Sequence, residues 1–130
     1  MTPEQQEALH QTVYNVLYNV SRWELGNLPY IGGFEIEYTK NKTGSDFELV
    51  HCSGGGKDGP PWRKVLVLKL RLEYEEVGGR ILIDNVFRQG VVHYTTSLQD
   101  LLRLGADVRQ MLVGYIRGWL NAITTVPQPA

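Results

Sequence analysis

The chain has 130 residues and a net charge of −1, with 42% hydrophobic and 21% charged residues. This length predicts a single domain over 1–130, and the composition is that of a globular protein rather than a disordered one. The near-neutral charge balance excludes a general electrostatic attraction to nucleic acid.

The location of the protein is predicted from its cysteine usage and its N-terminus. A single cysteine, Cys52, cannot form an internal disulfide, which is typical of a reducing compartment. The first residues are acidic and polar and lack the basic start and apolar run of a secretory signal. No stretch approaches about 20 uncharged apolar residues. We therefore expect a cytoplasmic protein that does not span a membrane.

The first predicted element is a helix that ends near Gly26. Thr2 and Gln5 match the pattern of a capping box, and Pro3 suits the first helical turn. Apolar residues then recur at helical spacing, which predicts one buried face. The predicted core residues of this helix are Leu9, Val13, Val16, Val20 and Trp23.

The middle of the chain alternates apolar and polar residues, which is typical of strands with one buried face. It predicts four antiparallel strands, or five if a bend at Gly90 divides the last one. Gly78 and Gly79 suit a tight hairpin turn that would pair Tyr74 with Ile83. The same register places Asn85 among apolar residues and so predicts an irregularity there.

The open face of this sheet is predicted to carry charges of both signs. A mixture of this kind favours a solvated surface with cross-strand ion pairs. The residues expected on it are Glu35, Glu37, Glu48, Lys69, Arg71 and Arg88.

These elements together predict an α+β fold with two layers. An N-terminal helix and a long C-terminal helix are expected on one face of a four-stranded, possibly five-stranded, antiparallel meander. The Gly/Pro-rich segment 53–61 is predicted to be a flexible loop, and 124–130 a frayed tail.

The last predicted helix, from Leu98 to Ile123, is apolar around about 200° of its circumference, whereas one core-facing surface needs only about 100°. The expected core stripe consists of Leu98, Leu101, Leu102, Leu112, Val113, Ile116, Trp119, Leu120 and Ile123. The second stripe beside it consists of Leu104, Val108, Met111, Tyr115 and Ala122. A lone chain is not expected to cover both stripes.

The second stripe therefore predicts contact with another chain, self-association being the first expectation. Tyr14 and Tyr18 lie away from the core stripe of the first helix, and outward tyrosines are enriched at interfaces. The two tyrosines could equally pack on their own fold. The predicted interface consists of Tyr14, Tyr18, Leu104, Val108, Met111 and Tyr115. The predicted function is a non-enzymatic interaction or assembly module, homo-oligomeric through its helices.

A polar pocket between the sheet and the last helix is the alternative, and it would serve a small-molecule-binding protein or an enzyme. Its predicted lining is Tyr38, His51, Tyr74, Asn85 and Arg109. Arg109 falls inside the apolar arc, so a carboxylate partner such as Glu7, Glu24 or Asp84 is expected for it. Binding of an extended partner at a sheet edge is a third interpretation that the sequence does not separate from the first.

No residue pattern predicts a catalytic residue, a cofactor or a metal. The segment Gly54–Lys57 lacks the following Ser/Thr and helix of a phosphate-binding loop. His51 and Cys52 are adjacent on a strand, so their side chains point to opposite faces. Aromatic residues do not interleave with the basic residues of the sheet, which makes nucleic acid an unlikely partner.

Overall fold

The computed structural model describes residues 1–26, 32–53, 61 and 63–124. It confirms the α+β fold and resolves the strand number as five. The elements are α1 (Pro3–Leu25), β1 (Gly32–Asn41), β2 (Gly44–Ser53), β3 (Arg63–Tyr74), β4 (Gly78–Asp84), β5 (Gln89–Thr95) and α2 (Leu98–Thr124). The strands form one antiparallel sheet in the order β1-β2-β3-β4-β5. The predicted loop at 53–61 and tail at 124–130 lie almost entirely outside the described residues.

Helix α1 begins at the predicted capping box. The Thr2 hydroxyl accepts a hydrogen bond from the Gln5 backbone N–H at 3.2 Å, and the Gln5 side chain accepts one from the Thr2 backbone at 3.0 Å. The buried face is rotated from the predicted one toward Leu17 and Leu25. Trp23, predicted in the core, is 72% exposed because it lies on the opposite flank of this rotated face.

A register shift between β2 and β3 changes which residues of β3 face the helices. Leu49 pairs with Leu68, but the next residue, Val50, pairs with Leu66. The extra residue is Val67, which is fully buried, whereas Leu66 is exposed. The bulge therefore reverses the alternation of β3 at that point, so that Leu66 does not continue the inward row of Leu68, Leu70 and Leu72.

The β3–β4 turn is displaced from its predicted position. Tyr74 pairs with Gly79 rather than with Ile83, and the Glu75 N–H donates to the Gly78 carbonyl at 2.7 Å. Gly79 therefore lies in the strand and not in the turn. A Cβ atom at this position would overlap the Glu73 carbonyl oxygen and lie 2.6 Å from the Tyr94 hydroxyl oxygen, so the glycine makes room for both the neighbouring strand and a buried ring.

The predicted irregularity at Asn85 is the end of strand β4. Its side-chain oxygen accepts hydrogen bonds from the backbone of Phe87 at 2.9 Å and of Arg88 at 3.0 Å, and its amide donates to the Tyr115 carbonyl at 3.4 Å. Arg88 then stacks over the Tyr115 ring at 4.2 Å from its centroid. The prediction that Arg88 lies on the open sheet face is wrong, because the turn folds it onto α2.

The rest of the open face carries the cross-strand ion pairs that were predicted. Lys64 reaches across β2 to Glu35 at 2.9 Å and to Glu37 at 3.6 Å. Arg71 binds Asp46 at 2.8 Å. The charges of this face therefore largely neutralise one another across neighbouring strands.

One continuous core lies between the helices and the sheet. It is built from the inward residues of both helices and of strands β2 to β5. The buried residues of α2 are Leu104, Val108, Leu112, Tyr115, Ile116 and Trp119. Both helices therefore pack on one face of the sheet, as predicted.

Candidate functional site

The predicted interface stripe of α2 lies in the core of its own chain. Leu104 is 2% exposed, Val108 and Tyr115 are equally buried, and Met111 packs against the same cluster. The expectation that these residues face another chain is wrong for the three buried ones. The physical reason is that α2 buries two sides at once, one against α1 and one against the sheet.

The two tyrosines of α1 pack on the edge strand β1. The ring centroids of Tyr14 and Tyr38 are 5.9 Å apart, and those of Tyr18 and Phe34 are 5.8 Å apart. Tyr18 remains partly exposed, but neither tyrosine forms a common surface with the α2 stripe. Packing on their own fold explains their position.

The five predicted pocket residues do not surround one cavity. Tyr38 is half-exposed at the edge of the sheet, and His51 is buried with its ring centroid 5.9 Å from that of Trp119. The Tyr74 hydroxyl donates to the Gln6 carbonyl at 3.1 Å. Tyr38 and Tyr74 therefore both lie near His10 and Ser45, whereas His51 lies apart from them beside Trp119.

The other two predicted pocket residues, Asn85 and Arg109, also lie apart from one another. Asn85 stabilises the β4–β5 turn, and Arg109 is exposed on α2. Among the residues that the structure describes, no carboxylate lies within ion-pair distance of Arg109. Its predicted partner Glu24 binds Arg117 at 3.1 Å instead, and Glu7 binds Lys40.

A buried polar pair between α1 and β2 was not predicted. His10 Nδ1 lies 2.8 Å from Ser45 Oγ, and the imidazole stacks on Phe47 at 4.9 Å between centroids. Burial lowers the pKa of His10, which favours its neutral form. The signal in the sequence is that Ser45 shares the inward parity of Phe47 and Leu49.

Ser45 lines a polar cavity of about 200 Å³, whose rim includes Glu7 and Lys40, which form an ion pair. The side chains of His10 and Ser45 are almost completely buried. A serine that cannot reach solvent is poorly placed to attack a substrate, because a nucleophile must approach the reacting atom. The arrangement is that of a satisfied buried hydrogen bond.

Cys52 and His51 point to opposite faces, as predicted. Cys52 pairs with Lys64 on the open side of the sheet and is nevertheless buried. Burial raises the pKa of its thiol, so the thiolate that would act as a nucleophile is disfavoured. Within residues 1–26, 32–53, 61 and 63–124, no group of three His, Cys, Asp or Glu side chains is placed to hold a metal ion.

An apolar surface that was not predicted lies at the N-terminal end of α2. Leu98 and Leu102 were expected in the core, but they are 72% and 75% exposed. They flank Leu101, which helps to line an apolar groove of about 130 Å³ between α1 and α2. The groove is lined by Gln5, Ala8, Leu9, Thr12, Thr96, Leu101 and Leu104. We call Leu98, Leu101, Leu102 and this groove the leucine surface.

The start of α2 is held firmly, which fixes the position of the leucine surface. The Asp100 carboxylate accepts hydrogen bonds from the Thr95 backbone at 3.0 Å and from the Thr95 hydroxyl at 2.7 Å. These bonds lower the pKa of Asp100. The Ser97 hydroxyl accepts a hydrogen bond from the Asp100 backbone N–H at 3.2 Å and so caps the start of the helix.

The comparisons with known proteins leave the function to be argued from the chain itself. No protein-family model, no curated protein and no solved structure matches it. Neither described helix has the length together with the apolar character that crossing a membrane requires.

Proposed function

We propose that this protein is a non-enzymatic protein–protein interaction module that binds an apolar segment of another chain at its leucine surface. The observation that carries the proposal is the pair Leu98 and Leu102. These two leucines lie one helical turn apart, are more than 70% exposed, and flank Leu101, which lines an apolar groove. Contiguous exposed apolar surface of this kind marks interaction sites.

The size of the groove fits a side chain as its occupant. Apolar cavities of about 150 Å³ can hold a benzene-sized group, so a groove of this volume accepts one large apolar side chain. Helical partners that dock in grooves use apolar anchors at spacings of three or four residues. We therefore propose that one anchor enters the groove while its neighbours cover Leu98 and Leu102.

The free energy gained by burying the exposed leucines also indicates that a partner must fill the groove. Burying an exposed leucine stabilises a complex by about 1.5–3 kcal/mol. Two leucines alone do not offset the cost of association, which is about 4–15 kcal/mol. A partner must therefore contribute several apolar side chains to bind measurably.

The alternative of a small-molecule-binding protein or an enzyme has less support. Its five proposed lining residues do not line one cavity, and the polar cavity beside Ser45, which includes only Tyr74 of the five, adjoins α1 rather than α2. The His10 and Ser45 side chains there already satisfy each other. This observation favours a stabilising role over a catalytic one.

Selection from a displayed library of helical peptides tests the proposal without knowledge of the partner. We expect peptides with spaced apolar residues to be enriched on the wild-type chain and to lose binding to the variant Leu98→Asp/Leu102→Asp. Val86→Asp is the matched control, because Val86 is equally exposed but lies on the β4–β5 turn. Enriched peptides that bind the leucine variant as tightly as the wild type, or no enrichment at all, would contradict the proposal.

Self-association through the helices remains a prediction that a mass measurement checks. If a second copy occupies the leucine surface, light scattering at micromolar concentration will give a dimer that Leu98→Asp/Leu102→Asp converts to a monomer. A wild-type monomer would exclude self-association at that concentration and leave a different chain as the partner.

A further inference from the structure

Three acidic residues lie at the end of the molecule that carries the leucine surface. Glu4 is on the first turn of α1, and Glu75 and Glu76 are on the β3–β4 turn. All three are exposed, and none has an ion-pair partner in the described part of the chain. Their three negative charges exceed the one positive charge nearby, that of the Met1 amino group, so this end of the molecule can attract a cationic partner.

Backbone contacts bring these acids close to the groove. The Met1 amino group donates to the Glu76 carbonyl at 3.3 Å. The Thr96 N–H donates to the Val77 carbonyl at 3.2 Å, and Thr96 lines the groove. Glu4 precedes Ala8 by one helical turn, and Ala8 lines the groove from the other side. Glu4, Glu75 and Glu76 thus lie at one end of the leucine surface, and we call them the acidic rim.

A basic residue lies further along the same flank of α2. Arg109 follows Leu102 by two helical turns, which is about 10 Å along the axis, and faces nearly the same direction. It is exposed and has no carboxylate partner among the described residues. The other nearby cation, Arg103, is neutralised by Asp100 at 3.1 Å. The flank therefore changes from acidic at its end to basic in its middle.

We propose that the occupant of the leucine surface is an amphipathic helix of another protein, and that the two ends of this helix carry opposite charges. Its basic end lies over Glu4, Glu75 and Glu76, and an acidic residue about two turns away faces Arg109. This inference rests on the proposed function and names the partner class. Complementary charges of this kind set the orientation and the association rate of a complex.

The charge count favours a different chain over a second copy. In a symmetric dimer each Arg109 could face the acidic rim of its partner, but one cation would then meet three carboxylates. A segment with several lysines or arginines can neutralise all three. We therefore assign the surface to a basic segment of another protein.

Three synthetic peptides of about 15 residues, a length at which helices begin to hold in water, test the charge pattern. They share one leucine face. The first carries lysines at one end and glutamates at the other, the second lysines at both ends, and the third glutamates at both ends. Because a helix can dock in either direction, the first peptide can always place its lysines over the acidic rim.

We expect the wild-type chain to bind the lysine–glutamate peptide best, the all-lysine peptide two- to fivefold more weakly, and the all-glutamate peptide most weakly. The variant Arg109→Glu should reverse the order of the first two peptides. A general loss of folding would weaken all peptides together, so the reversal reports the charge pattern alone. Higher salt should reduce these differences.

The outcomes separate the two proposals. Equal binding of the three peptides, with all of them weakened by Leu102→Asp, overturns the charge pattern and leaves the interaction module standing. If no peptide binds at about 1 mM, the proposed partner class is overturned. The library selection then still tests whether the protein is an interaction module. The wild type could instead be a dimer that does not bind the peptides, with Leu102→Asp a monomer. In that case the occupant of the leucine surface is a second copy of this chain and not a basic segment of another protein.

Discussion

Helix α2 carries two kinds of leucine that the sequence alone does not distinguish. Leu104 is 2% exposed in the core, whereas Leu102, two residues earlier, is 75% exposed. The two side chains are chemically identical, and only the neighbours supplied by α1 and the sheet make them different. Apolar character therefore identifies a surface that needs a partner, but the fold decides whether that partner belongs to the same chain.

The sharpest test of this comparison replaces each of the two leucines by alanine. We expect Leu104→Ala to lower the free energy of unfolding by about 2–5 kcal/mol, because it leaves a cavity in a packed core. Leu102→Ala should change it by less than about 0.5 kcal/mol. Urea unfolding of both variants measures the difference. Equal losses would contradict the assignment of the buried stripe.

The contact between α2 and β5 should be almost as sensitive. A Cβ atom at Gly90 would overlap the Tyr115 hydroxyl and lie 2.7 Å from the Met111 Cε atom. We expect Gly90→Ala to cost about 1–3 kcal/mol, the usual range for overpacking a core. Thermal unfolding measures this loss, and adding Tyr115→Phe should recover part of it by removing the overlapping oxygen. A neutral Gly90→Ala would contradict this packing.

A smaller effect is expected from the buried His10. Its folded-state pKa lies below the unfolded value of about 6.5, so the unfolded chain binds more protons as the pH falls. Its contribution to stability is therefore present above that pH and is lost as the pH falls through about 6.5 and below. His51, whose pKa burial also lowers, acts in the same direction.

The double variant His10→Phe/Ser45→Ala isolates this contribution. Replacing both partners of a buried hydrogen bond by apolar groups can be nearly neutral at pH 7. We expect the variant to lose less stability than the wild type between about pH 7.5 and pH 5, as measured by urea unfolding at each pH. Glu7, Lys40, Tyr38 and Tyr74 surround the pair and are unchanged in the variant. An identical decline in both proteins would contradict the role of His10.

The smallest predicted change concerns the solvent side of α2. A Cβ atom at Gly118 would have no neighbour within 4 Å outside the helix backbone. Gly118→Ala should therefore raise the free energy of unfolding by about 0.5–1 kcal/mol through helix propensity alone. Gly114→Ala is the matched comparison, because its Cβ would meet the Arg88 guanidinium at 2.8 Å. An equal stabilisation at both positions would show that the flexible Arg88 side chain moves aside freely, and a Gly118→Ala variant no more stable than the wild type would contradict the open space at Gly118.

Local patterns predicted the features of the fold that depend on near neighbours. The capping box of Thr2 and Gln5, the strand alternation and the ion pairs of the open face all follow from residues a few positions apart or from adjacent strands. The end of β4 at Asn85 was visible as a polar residue among apolar ones. These signals need no knowledge of the tertiary structure.

The features that were not predicted depend on distant contacts. Gly79 resembles a turn residue, yet it makes room for Tyr94 on another strand. The bulge opposite Val50 leaves no mark in a row of alternating leucines and valines. The choice between the two stripes of α2 depends on where α1 packs. The sequence pattern therefore did not reveal that Leu104, Val108 and Tyr115 of the predicted interface belong to the core, or that the leucine surface is exposed.

The most direct test of the central claim is methyl NMR of the leucines and isoleucines during titration with the lysine–glutamate peptide. We expect the methyl signals of Leu98, Leu101 and Leu102 to shift together, while those of the core residue Leu112 and of Ile36 on β1 stay in place. Shifts centred on the edge strand β1 instead, or a spectrum that the peptide leaves unchanged, would contradict a binding surface at the start of α2.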